Sequence, residues 1–428
     1  MKKSKSETGA EPSAAMLSRR SFLQQGAAAL ALAAGTRHLL SAQPTGETFD
    51  LIVAGGTVID PYNQINRVTD VGIKAGKIVQ VADRLDRARA TRVVDATGLF
   101  VSPGWIDLHA HIFLKINPLG VHPDRDAGVN VGVTTVADPG GFCSDEIQIY
   151  RREIVEKSVT RVVGFVNVAA HRNKPNTPMQ GDFALFDQEL TIKTIEENRD
   201  VIKGVKVLSS IYHAGNLTLT PTQLAVQAAR ESGTRVVAHI GMAPPLIQDV
   251  LNLLGPGDFV THCFKGFPMG IFHRDGRPVA EAWKALERGV SFDLGHGQGS
   301  FAWEAARHAR KHAFPLHSLS TDIHLGSLHG PVWTYGRTMA KLLHLGYALP
   351  EIVKVSTLGP ARLIDEEKEL GSLSPGTVAD LTLFRVVDKK VVFTDSLKNS
   401  ENGTRDIEPV HCIRAGKVIS EMKIPPAA

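Results

Sequence analysis

Six residues between positions 109 and 322 are of the types that hold and use metal ions. Asp107-Leu108-His109-Ala110-His111 sets two imidazoles at alternate positions of a strand-like run. A β-strand sends residues i and i+2 to one face, so both rings can reach the same ion. Lys206 follows Gly204-Val205, His239 follows Val236-Val237-Ala238, His262 follows Phe259-Val260-Thr261, and Asp322 follows Ser320-Thr321. Each of these stands at the end of a separate run, which is where parallel α/β folds gather their chemistry. Nitrogen and oxygen donors of this kind suit zinc, whose catalytic sites keep one position open for water. The six assemble into a binuclear site. One ion falls to His109, His111 and Asp322, and the second to His239 and His262.

The stretch Pro103-Gly104-Trp105-Ile106-Asp107-Leu108-His109-Ala110-His111 resembles the signature of the amidohydrolase superfamily of metal-dependent hydrolases. The order His-x-His, Lys, His, His, Asp is similar to that of its binuclear zinc members, and no ligand position is missing across residues 48–420. The resemblance implies two divalent ions, zinc the expected species, bridged by a carboxylated Lys206. A protonated ammonium repels a cation and only donates hydrogen bonds. The lysine can serve only once deprotonated and carboxylated, when it offers two oxygens to two ions. Lys203 is the competitor, but a regular strand turns it to the opposite face from Lys206. The implied reaction is hydrolysis by metal-activated hydroxide. Asp322 takes up the proton and passes it to the leaving nitrogen or oxygen. Asp107 is expected to orient a ligand histidine or a strand backbone group.

Within the superfamily, dihydroorotases carry an arginine two residues beyond the second metal histidine; here that position is Phe113. The Thr261–Gly266, Phe292–Gly297 and His329–Val332 stretches look more like the deacetylase branch, whose members remove N-acetyl or O-acetyl groups from small α-substituted carboxylic acids. The expected function is therefore hydrolysis of such an acyl group from a small-molecule substrate. A cyclic amide hydrolase of dihydroorotase or hydantoinase type is the alternative. A non-catalytic exported binding protein is a third reading, which loss of a ligand or of Asp322 would favour; neither is lost. Candidate substrate contacts are His296 in the loop after the seventh run, Tyr212 after the fourth and Lys265 after the sixth.

These residues need a frame to bring them together. Eight apolar β-like runs ending near His111, Asp138, Val168, Ser209, His239, His262, His296 and Asp322 alternate with helical stretches such as Pro221–Arg230 and Phe301–Arg310. Several runs are continuously apolar, as strands buried on both faces are. The predicted fold is α/β: a (β/α)₈ TIM barrel over residues 103–367, with a small composite β-sandwich built by both chain ends, residues 48–102 and 368–425. Short strands at 49–54, 71–73, 77–81, 379–384, 390–393 and 410–413 supply the sandwich, and Gly76 marks a hairpin turn.

The first 42 residues read differently. Ser18-Arg19-Arg20-Ser21-Phe22-Leu23 resembles a twin-arginine export motif; an Ala-rich stretch and a small-residue site at Leu40-Ser41-Ala42 follow. The expected destination is the bacterial periplasm, with the twin-arginine export machinery as a partner. The apolar run is too short for a stable membrane span. The leader holds six basic and two acidic residues, which accounts for the whole formal charge of +4. The remainder is neutral, so there is no basic field to attract nucleic acid. Three widely spaced cysteines, Cys143, Cys263 and Cys412, make no disulfide framework. A homo-oligomer stays open.

Overall fold

The computed structural model describes residues 48–419, apart from 176 and 178. The expected leader, residues 1–42, and the end of the expected sandwich, residues 420–425, lie outside the described residues.

Two sheets organise the chain. The first takes β1 (Phe49–Asp60), β2 (Ile65–Lys74), β3 (Lys77–Ala82), β4 (Ala90–Asp95) and β5 (Phe100–Pro103) from the N-terminal side. The second is wholly parallel, in sequential order: β6 (Trp105–Asp107), β7 (Val133–Pro139), β8 (Arg161–Asn167), β9 (Ile202–Ser209), β10 (Val236–Ile240), β11 (Phe259–Thr261) and β12 (Ser291–Phe292). The chain then returns to the first sheet through β13 (Leu381–Thr394), β14 (Ser400–Arg414) and β15 (Lys417–Val418). That sheet runs β15-β14-β13-β5-β1-β2-β3, so both chain ends build it and the β13–β5 pairing joins them.

The parallel sheet curls into a barrel. Its eighth segment makes no extended strand, but bridges from Asp293 to Ser318 and from Ala110 to Ile323, both parallel, close the ring between β12 and β6. The strands are buried on nearly every residue, as in β7 (Val133–Pro139). Flanking helices such as Thr220–Glu231 bury one stripe, while Tyr335–His344 is buried almost throughout. The helices predicted at 221–230 and 301–310 form at Thr220–Glu231 and Trp303–Lys311.

Of three sequence expectations, two shift in detail and the hairpin at Gly76 holds. β1 does not stop at Ala54: a bulge between Val53 and Gly56 carries pairing with β2 through to Asp60. The Ala75-Gly76 turn between β2 and β3 has φ of 50° and 74°, the left-handed pair of a tight hairpin. The predicted short strands at 379–384 and 390–393 merge into one long β13. Its outer half, with β14, leaves the sandwich and packs on the barrel through Val391, Phe393 and Ile407.

Candidate metal centre

The C-terminal ends of the barrel strands bring the predicted ligands together. His109 and His111 lie just beyond β6, where Ala110 bridges Ile323, and both Nε2 atoms face Asp322 Oδ1, at 3.3 and 3.1 Å. Donor atoms of these three residues lie within 4.8 Å of one another, a group able to hold an ion. On the other side, the ring centroid of His262 is 4.9 Å from that of His109 and 4.4 Å from that of His239. Lys206 is 1% exposed on β9, and Gly140 at the end of β7 approaches it so closely that a β-carbon there would stand 2.7 Å from Lys206 Cγ. Lys203 goes elsewhere: its ammonium pairs with Glu366 at 2.6 Å.

Hydrogen bonds around the rings set their tautomers. The Thr261 hydroxyl has one proton, and Asp293 Oδ2 accepts it at 2.8 Å. Thr261 Oγ1 must therefore accept from His109 Nδ1–H, 3.0 Å away, which leaves His109 Nε2 with its lone pair toward the centre. His262 Nδ1 donates to the Gly295 carbonyl at 2.6 Å, freeing its Nε2 in the same way. Outer partners of this kind fix the orientation of metal-binding imidazoles. Asp107 serves the backbone: it accepts from the His109 and Thr321 N–H groups at 3.1 and 3.0 Å and from the Thr321 hydroxyl. Asp138 does the same for the loops after β6 and β7, accepting from the N–H groups of Ile112 and Phe113 in the first and Gly141 in the second.

Among the described residues, two buried polar atoms of the predicted ligand set have no partner: Lys206 Nζ and His262 Nε2. An unsatisfied buried polar group costs about 1–3 kcal/mol, so two of them in one ligand set point to a ligand they serve. Burial pushes the Lys206 amine down to about 8, against the pull of Asp322. Burial, with Lys206 beside it, holds His109 neutral, down to about 3. For Asp322, burial opposes ionisation but the two histidines outweigh it, and the carboxyl stays well below the usual range. His262 and Asp322 also adopt left-handed backbone, φ 76° and 48°, which costs non-glycine residues about 1–3 kcal/mol and clusters at functional sites. The donor set thus fits divalent metal: imidazoles held neutral by burial at His109, His239 and His262, a fourth imidazole at His111 paired with the Asp322 carboxylate, and a buried amine that can be carboxylated.

The remaining candidates fall in different places. Lys265 is 7% exposed and donates to the Ile240 carbonyl and Ser300 Oγ at 3.2 and 3.1 Å. Tyr212 is 67% exposed on the short helix Ile211–Ala214, while its neighbour His213 turns inward, 5.1 Å from the His239 ring. His296 is fully buried, and both its ring nitrogens are engaged, with the Gly297 carbonyl and with Lys341 Nζ. Phe113 does not line the mouth; it is buried against Tyr150, ring centroids 5.3 Å apart. Cys263 is buried with its thiol pushed well up by burial, as an apolar filler.

Sequence reading missed Thr261, Asp293, His213 and Lys341. Thr261 and Asp293 adjoin recognised strand ends, and that adjacency was the available signal. Lys341 stands in the helix Tyr335–His344 three residues after the buried Thr338, a lysine on an otherwise buried face.

The fold is a barrel and its mouth carries a His–His–Asp group able to hold an ion; comparison with known proteins supplies the family. A deacetylase of Agrobacterium fabrum is 33% identical over 359 residues, 82% of this chain and 87% of the relative. Among solved structures, one described as an adenine deaminase superposes with a TM-score of 0.80 at 32% identity, covering 86% of this chain and 99% of its own. One described as a dihydroorotase gives 0.77 at 30%, covering 86% and 97%. No family model matches. The chain belongs to the amidohydrolase superfamily, in its deacetylase branch, and is a hydrolase acting on C–N bonds.

Proposed function

We propose that the protein is a binuclear zinc deacylase that removes an N-acetyl or O-acetyl group from a small α-substituted carboxylic acid. The observation that carries this reading is the partnerless Lys206 amine, buried among the histidines and Asp322 at the barrel mouth. His109, His111 and Asp322 would hold one ion, His239 and His262 the other, and carboxylated Lys206 both. Bound zinc supplies Lewis acidity toward water and toward a carbonyl oxygen.

The chain's own groups do the rest. Asp322, kept ionised, accepts the proton of the attacking water at a carboxylate oxygen and delivers it to the leaving nitrogen or oxygen. Thr261 with Asp293, and Gly295, hold His109 and His262 in the tautomers that present Nε2. Lys265 spends two of its three N–H donors on Ile240 and Ser300; the third is the donor assigned to the substrate carboxylate. His213, beside His239, is the second polar group assigned to face the substrate.

The cyclic-amide reading is supported by the likeness to the structure described as a dihydroorotase and by curated dihydroorotases 45% identical over 62 residues. Against it, position 113 supplies no cationic anchor. On one zinc-loaded preparation, kcat/KM for an N-acetyl amino acid or O-acetyl α-hydroxy acid should exceed that for dihydroorotate or a hydantoin by at least ~10²-fold. That is a floor, since a site built to hydrogen-bond a substrate group rejects an analogue lacking it by about 10⁴–10⁵-fold. A preference for either ring substrate would make the cyclic-amide reading the answer.

We also propose export by the twin-arginine route, on Arg19-Arg20 and the apolar stretch that follows. Among the described residues no helix is long and apolar enough to cross a membrane. The double variant Arg19→Lys, Arg20→Lys should remain in the cytoplasm when fractions are immunoblotted; its arrival in the periplasm would remove this assignment.

A further inference from the structure

Behind the metal centre lies a buried cation that the reaction does not use. Lys341, 1% exposed in the helix Tyr335–His344, spends its three N–H donors on three separate elements. It donates to His296 Nε2 at 2.7 Å, to the Pro331 carbonyl at 2.8 Å and to the Thr394 carbonyl at 2.6 Å. These acceptors belong to the loop after β12, the loop after the eighth barrel segment, and the end of β13. An ammonium with three acceptors is fully satisfied, which makes a buried lysine tolerable.

His296 passes the constraint on. With Nε2 accepting from Lys341, its Nδ1 carries the proton and donates to the Gly297 carbonyl at 2.9 Å. Its ring stacks on Phe301, centroids 4.6 Å apart and planes 12° from parallel. Gly297 is in turn bonded through its N–H to the Thr321 carbonyl at 2.9 Å. Its φ is +51°, and a β-carbon there would stand 2.1 Å from Asp322 Oδ2. The Gly297 backbone is thus the wall against which the Asp322 carboxylate rests. From the other side, the connection between β13 and β14 is stapled to the same loop. Ser396 Oγ accepts from the Ser300 and Phe301 N–H groups, both at 3.0 Å, and the Ser396 N–H donates to the Phe301 carbonyl at 2.8 Å.

We infer that Lys341 is a positioning residue for Asp322, acting through His296 and Gly297, and that the C-terminal hairpin is thereby part of the catalytic apparatus. The inference rests on the reading of Asp322 as the proton carrier. It assigns a role in the reaction to a helix and a hairpin that supply none of the predicted metal ligands, and it explains why a histidine in the mouth loop is spent on packing.

The test is a kinetic comparison of metal-loaded enzymes. Lys341→Met fills similar space and removes all three donors. It should lower kcat by about 10²-fold, the usual cost of a catalytic group displaced by an ångström, while KM and metal content stay within about threefold. A merely structural lysine would lower thermal stability and the folded fraction but leave kcat per metal-loaded molecule unchanged, and that result would overturn the inference. Gly297→Ala attacks the same contact with the lysine in place and should give the same loss of kcat with KM retained. If Lys341→Met does not fold, His296→Phe takes its place, keeping an aromatic ring on Phe301 and removing the link between Lys341 and Gly297; wild-type kcat per metal-loaded molecule in it, or in Gly297→Ala, would overturn the inference. In an Asp322→Asn background, Lys341→Met should cost less than about threefold, because the group it positions no longer carries a proton. Undiminished turnover in Asp322→Asn alone would instead sink the proton-carrier reading, so the two failures are distinguishable.

Discussion

Lys206→Ala is expected to retain at most one of the two ions per chain and to lose about 10²-fold or more in kcat/KM. Losing even an outer partner of a metal ligand costs about 10–100-fold in affinity or activity, and in the proposed site Lys206 would be a ligand to both ions. The residue is 1% exposed and its amine has no protein partner, so the variant forfeits no internal hydrogen bond that would confuse the result with unfolding. Short carboxylic acids such as formate or acetate fit the space vacated by the side chain and should partly restore both metal content and rate. Elemental analysis and turnover, with and without added acid, check this. Full metal content with full activity would mean that Lys206 is a core lysine and that the second ion, if present, is held otherwise.

Asp322→Asn is expected to lower kcat by about 10²–10⁴-fold with metal content retained. The amide keeps the size and one oxygen donor, so the change falls on proton transfer, which general acid–base catalysis makes worth that range. The carboxyl group stands 3.3 and 3.1 Å from the two imidazole Nε2 atoms and stays ionised, well below the usual carboxylate range, which is the state a proton acceptor needs. Its left-handed backbone is a further cost that packing against Gly297 sustains. Steady-state rates alongside metal analysis separate the two roles. Retained metal with retained turnover would assign the proton to another group.

Much of this site is readable before any coordinates. Strand periodicity aims His109 and His111 together, and the alternation between apolar runs and helical stretches places Lys206, His239, His262 and Asp322 at the same end of one barrel. The same logic misleads at Phe113. Continued alternation would put residues 109, 111 and 113 on one face, but β6 ends at Asp107. Asp138 then captures the N–H groups of Ile112 and Phe113 and turns the ring into the core against Tyr150. His296 shows a different limit. Its place in a mouth loop suggests substrate contact, whereas its partners Lys341 and Phe301 come from other elements, and no local pattern announces such pairings. The long β13 was hidden for a related reason: bulges at Leu383/Phe384 and Asp388/Val391 interrupt the alternation that would have joined its two halves.

The most direct test of the account is a metal titration of chelator-stripped enzyme, followed by hydrolysis of an N-acetyl amino acid or O-acetyl α-hydroxy acid. The account predicts an inactive stripped protein whose activity returns on adding zinc and saturates at two equivalents per chain. Full activity in the stripped protein, or saturation without any turnover of acetylated acids, would contradict it.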